Sequence, residues 1–195
     1  MTLAEPIEVT LAVVEALERL GLRYLVGGSM ASSVHGVPRA TQDIDLLVEL
    51  PGRSVDGLVS ALEGAFYVDR DMILDAVRRA ASFNVVHLRT MYKVDVFVAD
   101  RSELVQGELE RRQVVEVGDP PQPIFVASPE DIVLQKLLWY RAGGEVSDRQ
   151  WRDLLGVMDV QGPRLDLAFL REWADRIGVT ALLTRAFEEA GRGSR

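Results

Sequence analysis

Two hydrophobic rhythms divide the chain. From residue 5 to 20, Ile, Val and Leu recur at helical spacing among Glu8, Glu15, Glu18 and Arg19, and Gly21 ends the run. A short apolar run at 22–26 stops at Gly27-Gly28-Ser29, a helix-like segment begins near Met30, and Pro38-Arg39 leads into a second apolar run at 43–50. Residues 54–64 place Val55, Leu58, Val59 and Leu62 on one helical face, whereas 71–81 fits a short helix or a loop. Runs at 82–88 and 92–98 have strand character and flank Arg89-Thr90-Met91, a spacer short enough for a hairpin. A helix is predicted over 101–110, and edge-like strands over 111–117 and 124–126, with Pro120-Pro121-Gln122-Pro123 as a stiff loop between them. From Ser128 onward only the helical rhythm remains. Ser128 with Pro129 and Asp131 starts a helix that runs to about Tyr140 and stops near Gly143-Gly144; Ser147-Asp148-Arg149-Gln150 starts another, and 166–176 and 179–189 read as two more. The pattern predicts an α+β chain, with a mixed β-sheet flanked by helices over residues 1–126 and a helical lobe over 127–195.

Composition narrows the function classes. The chain has no cysteine, which excludes disulfides, thiolate metal sites and a cysteine nucleophile. A net charge of -8 argues against broad non-specific binding to nucleic acid, because phosphate contacts need clustered cations. No apolar stretch reaches membrane-spanning length, and the opening segment reads as an amphipathic helix rather than a secretory signal. A cytoplasmic protein without a membrane partner is expected. Among the basic residues only Lys93 and Lys136 are lysines.

Candidate chemistry gathers at residues 26–45. Gly27 and Gly28 lack a Cβ, so the backbone there can take positive φ and approach a ligand closely. Ser29 can cap the helix that follows, and free N–H groups at such a terminus attract phosphate oxygens. Asp43 and Asp45 lie two apart, so on a strand they share one face at a Cα separation of about 6.6–6.8 Å, while Ile44 points to the core. Two carboxylates beside an anion-binding turn suit Mg²⁺, which sits on one or two carboxylates plus substrate phosphate. The plain alternative is a tight turn followed by exposed strand ends. In the later run, Lys93, Asp95 and Phe97 share one face and Val94, Val96 and Val98 the other. An unpaired acid inside a valine-rich strand is costly, so Asp95 requires a partner: a metal shared with Asp43 and Asp45, or an arginine.

These residues carry a resemblance. Gly27-Gly28-Ser29 followed by Arg39-x-Thr41-x-Asp43-x-Asp45 resembles the signature of the DNA polymerase β-like nucleotidyltransferase superfamily. The longer form, Gly-Gly-Ser-x-Ala and then Gly-x-x-Arg-x-Thr-x-Asp-Ile-Asp, is similar to the branch with AbiEii-type toxins of toxin–antitoxin systems and related nucleotidyltransferase-like proteins. The resemblance implies a nucleotidyltransferase-type sheet and metal-dependent transfer of a nucleoside monophosphate from a nucleoside triphosphate such as ATP. It implies Asp95 as the third metal-binding carboxylate, able to activate the attacking hydroxyl. It also implies a functional lysine at Lys136 and nucleotide or acceptor contacts from Arg149, Arg152 or Asp153. Read from the residues, Lys136 can snorkel to solvent or, the reading preferred here, reach into a cleft between lobes where a triphosphate supplies the countercharge, and Arg149 with Asp153 can form an intrahelical pair.

The expected mechanism follows. Gly27, Gly28, Ser29, Arg39 and Thr41 belong to the nucleotide-binding stretch, with Lys136, Arg149 and Asp153 contributing from the helical lobe. Asp43, Asp45 and Asp95 hold two Mg²⁺ ions, or Mn²⁺, about 3.5–4 Å apart, with Asp95 as base, while Lys136 neutralises developing phosphate charge. The acceptor hydroxyl belongs to RNA, a protein or a small molecule, and a cognate toxin or antitoxin is an expected partner. The rival reading is a non-catalytic, antitoxin-like module of the same fold that binds nucleotide, RNA or protein.

Overall fold

The computed structural model describes residues 4–41 and 43–193. In chain order the elements are α1 (Ala4–Arg19), β1 (Tyr24–Val26), α2 (Gly28–His35), β2 (Asp43–Val48), α3 (Val55–Leu62), β3 (Phe66–Tyr67), α4 (Arg70–Arg79), β4 (Ser82–His87) and β5 (Lys93–Val98). They continue with α5 (Glu103–Arg111), β6 (Gln113–Val117), β7 (Gln122–Val126), α6 (Pro129–Ala142), α7 (Asp148–Gln161), α8 (Leu167–Arg176) and α9 (Thr180–Gly193). The expected α+β architecture is what forms. No helix among the described residues is long and apolar enough to cross a membrane.

The chain divides into two compact units, one of residues 1–27 and 40–127, the other of residues 28–39 and 128–195. The sequence pattern placed one break after 126; the structure differs in grouping 28–39 with the C-terminal helices. In the first unit, the seven strands run in the order β3-β4-β5-β2-β1-β7-β6. The β2–β5 and β1–β7 pairs are parallel, and the other neighbours are antiparallel. Alternation makes one face of the central strands apolar: Ile44, Leu46 and Val48 of β2 and Val94, Val96 and Val98 of β5 are all buried. Buried residues of α1 (Val9, Val13, Leu17) and α3 (Val55, Leu58, Leu62) complete this core. The segment left open as helix or loop is α4; the Asp69 carboxylate caps it by accepting from the Met72 N–H at 3.0 Å. The region read as a proline loop is shorter than expected, because β7 begins at Gln122. That strand is also no edge: it lies between β1 and β6, so of the two strands read as edges β6 alone is terminal.

In the second unit α6 is the central element. Asp131, Ile132, Val133, Leu134 and Leu137 are wholly buried, and Pro129, Lys136 and Tyr140 are buried too, which marks a helix covered on most sides. Ser128 caps it as its sequence suggests, accepting from the Asp131 N–H at 3.1 Å. At the end of α2, a Cβ on Gly36 would stand 2.7 Å from the Val157 backbone nitrogen and 2.8 Å from the Gly156 carbonyl carbon. Backbone cannot yield as a side chain can, so glycine is required for this close approach of α2 to α7. The Gln161 amide closes the same contact by donating to the His35 carbonyl at 2.6 Å.

Asp153, on α7, is the polar node of this unit. Arg39 grips its two oxygens through Nε and Nη2 at 2.6 and 2.7 Å, and the Lys136 ammonium donates to Oδ2 at 2.9 Å. Lys136 also donates to Gln150 Oε1 at 2.7 Å, and Arg39 Nη2 donates to Ser29 Oγ at 2.6 Å. Burial pushes the Asp153 carboxyl up, but the hydrogen bonds from Arg39 and Lys136, with their charges, outweigh it and hold the group below the ordinary carboxylate range. The Arg39 guanidinium is raised in turn by its bond to Asp153.

Two outcomes test this packing. Gly36→Ala lowers unfolding stability by about 1–3 kcal/mol in urea titration, because the methyl must displace backbone. Asp153→Ala strands the buried Lys136 charge and costs about 3–5 kcal/mol. The pH dependence has a definite sign. With the native Asp153 value depressed, its contribution is fully present above the unfolded carboxylate value of about 3.9 and is lost as pH falls through the native one. Between neutral pH and about 5, therefore, the stability gap between the wild type and Asp153→Asn stays constant, and it narrows only in stronger acid.

Candidate active site

In the first unit, register decides what the acids meet. β2 and β5 run in register, with Asp43 beside Lys93, Ile44 beside Val94 and Asp45 beside Asp95. Ile44 and Val94 are wholly buried, so by period two Asp43, Asp45, Lys93 and Asp95 occupy the opposite face. β4 then sets Asn84 opposite Asp95, making a row of Asp45, Asp95 and Asn84 across three strands. Two bonds fix the backbone of the acid strand: the Thr41 hydroxyl donates to the Asp43 carbonyl at 2.8 Å, and the Gly27 N–H donates to the Asp45 carbonyl at 2.9 Å.

The cation on this face is Lys93. Its ammonium lies 2.9 Å from Asp95 Oδ2 and 3.9 Å from Asp43 Oδ1. The hydrogen bond to Asp95, with the charges of Asp95, Asp43 and Asp45, outweighs a small burial effect and raises the ammonium above its ordinary value. The ion-pair partner of Asp95 is thus a lysine of its own strand, not an arginine.

Three carboxylates on one face of adjacent strands are an all-oxygen donor set of the type Mg²⁺ favours, and a cation already sits between two of them. The residues therefore fit a hard divalent ion in the chemistry of their donors and in sharing one face of the sheet. As the side chains stand, however, no group of three or more acidic or histidine side chains among the described residues converges tightly enough to hold a metal. Lys93 holds Asp95 in the arrangement seen, and a metal would require these side chains to turn toward it.

In the second unit, Gly28 adopts φ of +54° at the start of α2, the left-handed conformation that favours glycine. The helix begins at Gly28, earlier than the expected start near Met30, so Ser29 lies inside the first turn and is not its cap. Its hydroxyl instead receives Arg39. Lys136 does not snorkel: it is 1% exposed, and the countercharge expected from a triphosphate is supplied here by Asp153. Arg149 is exposed on α7, and Asp153 pairs with Arg39 and Lys136, not with Arg149 along the helix. Arg152 is exposed and donates to the Asp148 carbonyl at 3.3 Å.

Two polar residues of the carboxylate face, Lys93 and Asn84, were not among the expected site residues. The position of Lys93 two before Asp95 signalled a shared face, but its proximity to Asp43, and that of Asn84 to Asp95, required the strand pairing.

No protein-family model and no curated protein sequence matches the chain. Solved structures do. The solution structure of the antibiotic-resistance factor ANT(2'')-Ia is 18% identical, with a TM-score of 0.58, over 94% of this chain and 97% of that one. A nucleotidyltransferase-like antigenic protein from Paracoccidioides brasiliensis is 20% identical, with a TM-score of 0.53, over 95% and 94%. The lincosamide antibiotic adenylyltransferase LnuA, in its lincomycin-bound form, is 13% identical, with a TM-score of 0.52, over 82% and 98%. The expected nucleotidyltransferase fold is therefore the fold of this chain.

Proposed function

We propose that this protein transfers a nucleoside monophosphate from a nucleoside triphosphate to an acceptor hydroxyl, with Asp43, Asp45 and Asp95 as the metal-holding carboxylates. The observation that carries the reading is the register of β2 against β5, which sets Asp45 beside Asp95 and leaves Asp43 on the same face of a nucleotidyltransferase-type sheet. Mg²⁺ or Mn²⁺ bound by these carboxylates would supply Lewis-acid charge at the α-phosphate and acidify the acceptor hydroxyl. Asp95 receives the hydroxyl proton on a carboxylate oxygen as the new O–P bond forms and the bond from the α-phosphorus to the pyrophosphate oxygen breaks. Asn84, the cross-strand partner of Asp95, would orient that carboxylate. Within the second unit the same reading keeps Ser29 and the 27%-exposed Arg39 side chain as phosphate contacts. Lys136, buried, acts through Asp153 by holding it against Arg39.

ATP is the first donor to test. ANT(2'')-Ia has been solved with adenylyl-2''-tobramycin and LnuA with lincomycin, which supports a small-molecule acceptor among the three classes that the sequence leaves open. The AbiEii-like form of residues 27–45 supports an RNA or protein acceptor and a toxin–antitoxin setting. A second reading, a binding module without chemistry, is favoured by one observation: Lys93 already neutralises Asp95.

An α-labelled set of four NTPs with Mg²⁺, offered total RNA, candidate proteins and aminoglycosides, separates the readings. Transfer of label with release of pyrophosphate is the expected result, and Asp95→Asn reduces it by about 100-fold or more while leaving the melting temperature near that of the wild type. Label that stays on the nucleotide with every acceptor, while the nucleotide itself is bound, is the outcome expected of the binding module.

A further inference from the structure

Lys93 is placed where an ordinary surface lysine would not be. It stands in register with Asp43 and two residues before Asp95, so β2 and β5 together deliver its stem to the carboxylate face. Its ammonium is 2.9 Å from one of these acids and 3.9 Å from the other. Yet its side chain is 42% exposed, and those of Asp43 and Asp95 are 56% and 23% exposed, so the ammonium holds these acids within reach of solvent. Lysine is a compact point charge on a flexible four-carbon stem, whereas arginine binds a carboxylate as a rigid fork. In a chain whose other basic residues except Lys136 are all arginine, the residue able to let go is the one found here.

We infer that Lys93 is a resident counter-cation of the carboxylate face, displaced when a divalent ion binds and then received by the phosphates of the nucleotide. This rests on the metal-dependent reading given above. Without metal, three carboxylates on one sheet face repel one another, and a tethered ammonium relieves that repulsion without committing the site. A divalent ion carries twice the charge and takes several oxygen ligands at once, so it competes for the same oxygens. The displaced ammonium remains tethered to β5 beside the polyphosphate that a bound metal draws in. Metal loading in the absence of nucleotide is thereby weakened, and loading with nucleotide is favoured.

Mn²⁺ binding to the full chain, read from the free-ion electron paramagnetic resonance signal without nucleotide, tests this directly. Lys93→Met tightens Mn²⁺ binding by about tenfold, the order expected for removing a solvent-exposed unit charge screened close to the bulk-water limit, and Lys93→Arg does not. At saturating Mn²⁺, Lys93→Met binds the non-hydrolysable α,β-methylene-ATP about tenfold more weakly than the wild type. Measurable Mn²⁺ binding that Lys93→Met leaves unchanged or weakens overturns the counter-cation role while leaving the metal-dependent reading intact. Unchanged affinity for α,β-methylene-ATP overturns the transfer of Lys93 to phosphate. No Mn²⁺ binding by the wild type or by Lys93→Met, at millimolar ion, overturns both this inference and the metal-dependent reading.

Discussion

The parallel pairing of β2 with β5 is the constraint on which the carboxylate face of this protein depends. A strand has only two faces, and here one is committed to the core by Ile44, Leu46 and Val48 against Val94, Val96 and Val98. Burying those six side chains fixes the register, because a slip of either strand by one residue would turn its own acids, Asp43 and Asp45 or Asp95, into the apolar layer and its apolar residues out of it. The carboxylate face is thus a by-product of hydrophobic burial: the force that fills one side of the sheet leaves three acids and a lysine together on the other. The charge that collects there needs compensation, and Lys93 supplies it from within the same pair of strands.

The second unit solves a different problem. Its central helix is covered on most sides, and a lysine on such a helix would be prohibitive without a partner. Asp153 provides one. Because Asp153 is shared with Arg39, the ion cluster also ties residues 28–39 to helices more than a hundred positions later in the chain. Gly36 and the bond from Gln161 to His35 complete that attachment sterically. The cluster therefore has a structural role that would exist without any ligand.

The sequence determined a good deal. Helical spacing, capping residues and period-two alternation foretold the elements well, and most boundaries fell within a few residues, because these signals are local. Acids two apart on a strand must share a face, so the common orientation of Asp43 and Asp45 follows from their spacing alone. The face that Asp95 takes within its own strand follows in the same way from the valines around it.

Tertiary structure alone decided the partners. Nothing local to Lys93 says that it lies beside Asp43, since that depends on which strand β5 chooses and in what register. Nothing local to Asp153 says that it binds Arg39, 114 positions away, and Lys136 in preference to Arg149 on its own helix. Nor does the helical pattern of 28–39 reveal that this segment packs with the C-terminal helices. The reason is common to all three cases: a side chain's direction follows from its own backbone, but the group that meets it is set by the burial of other residues elsewhere in the chain.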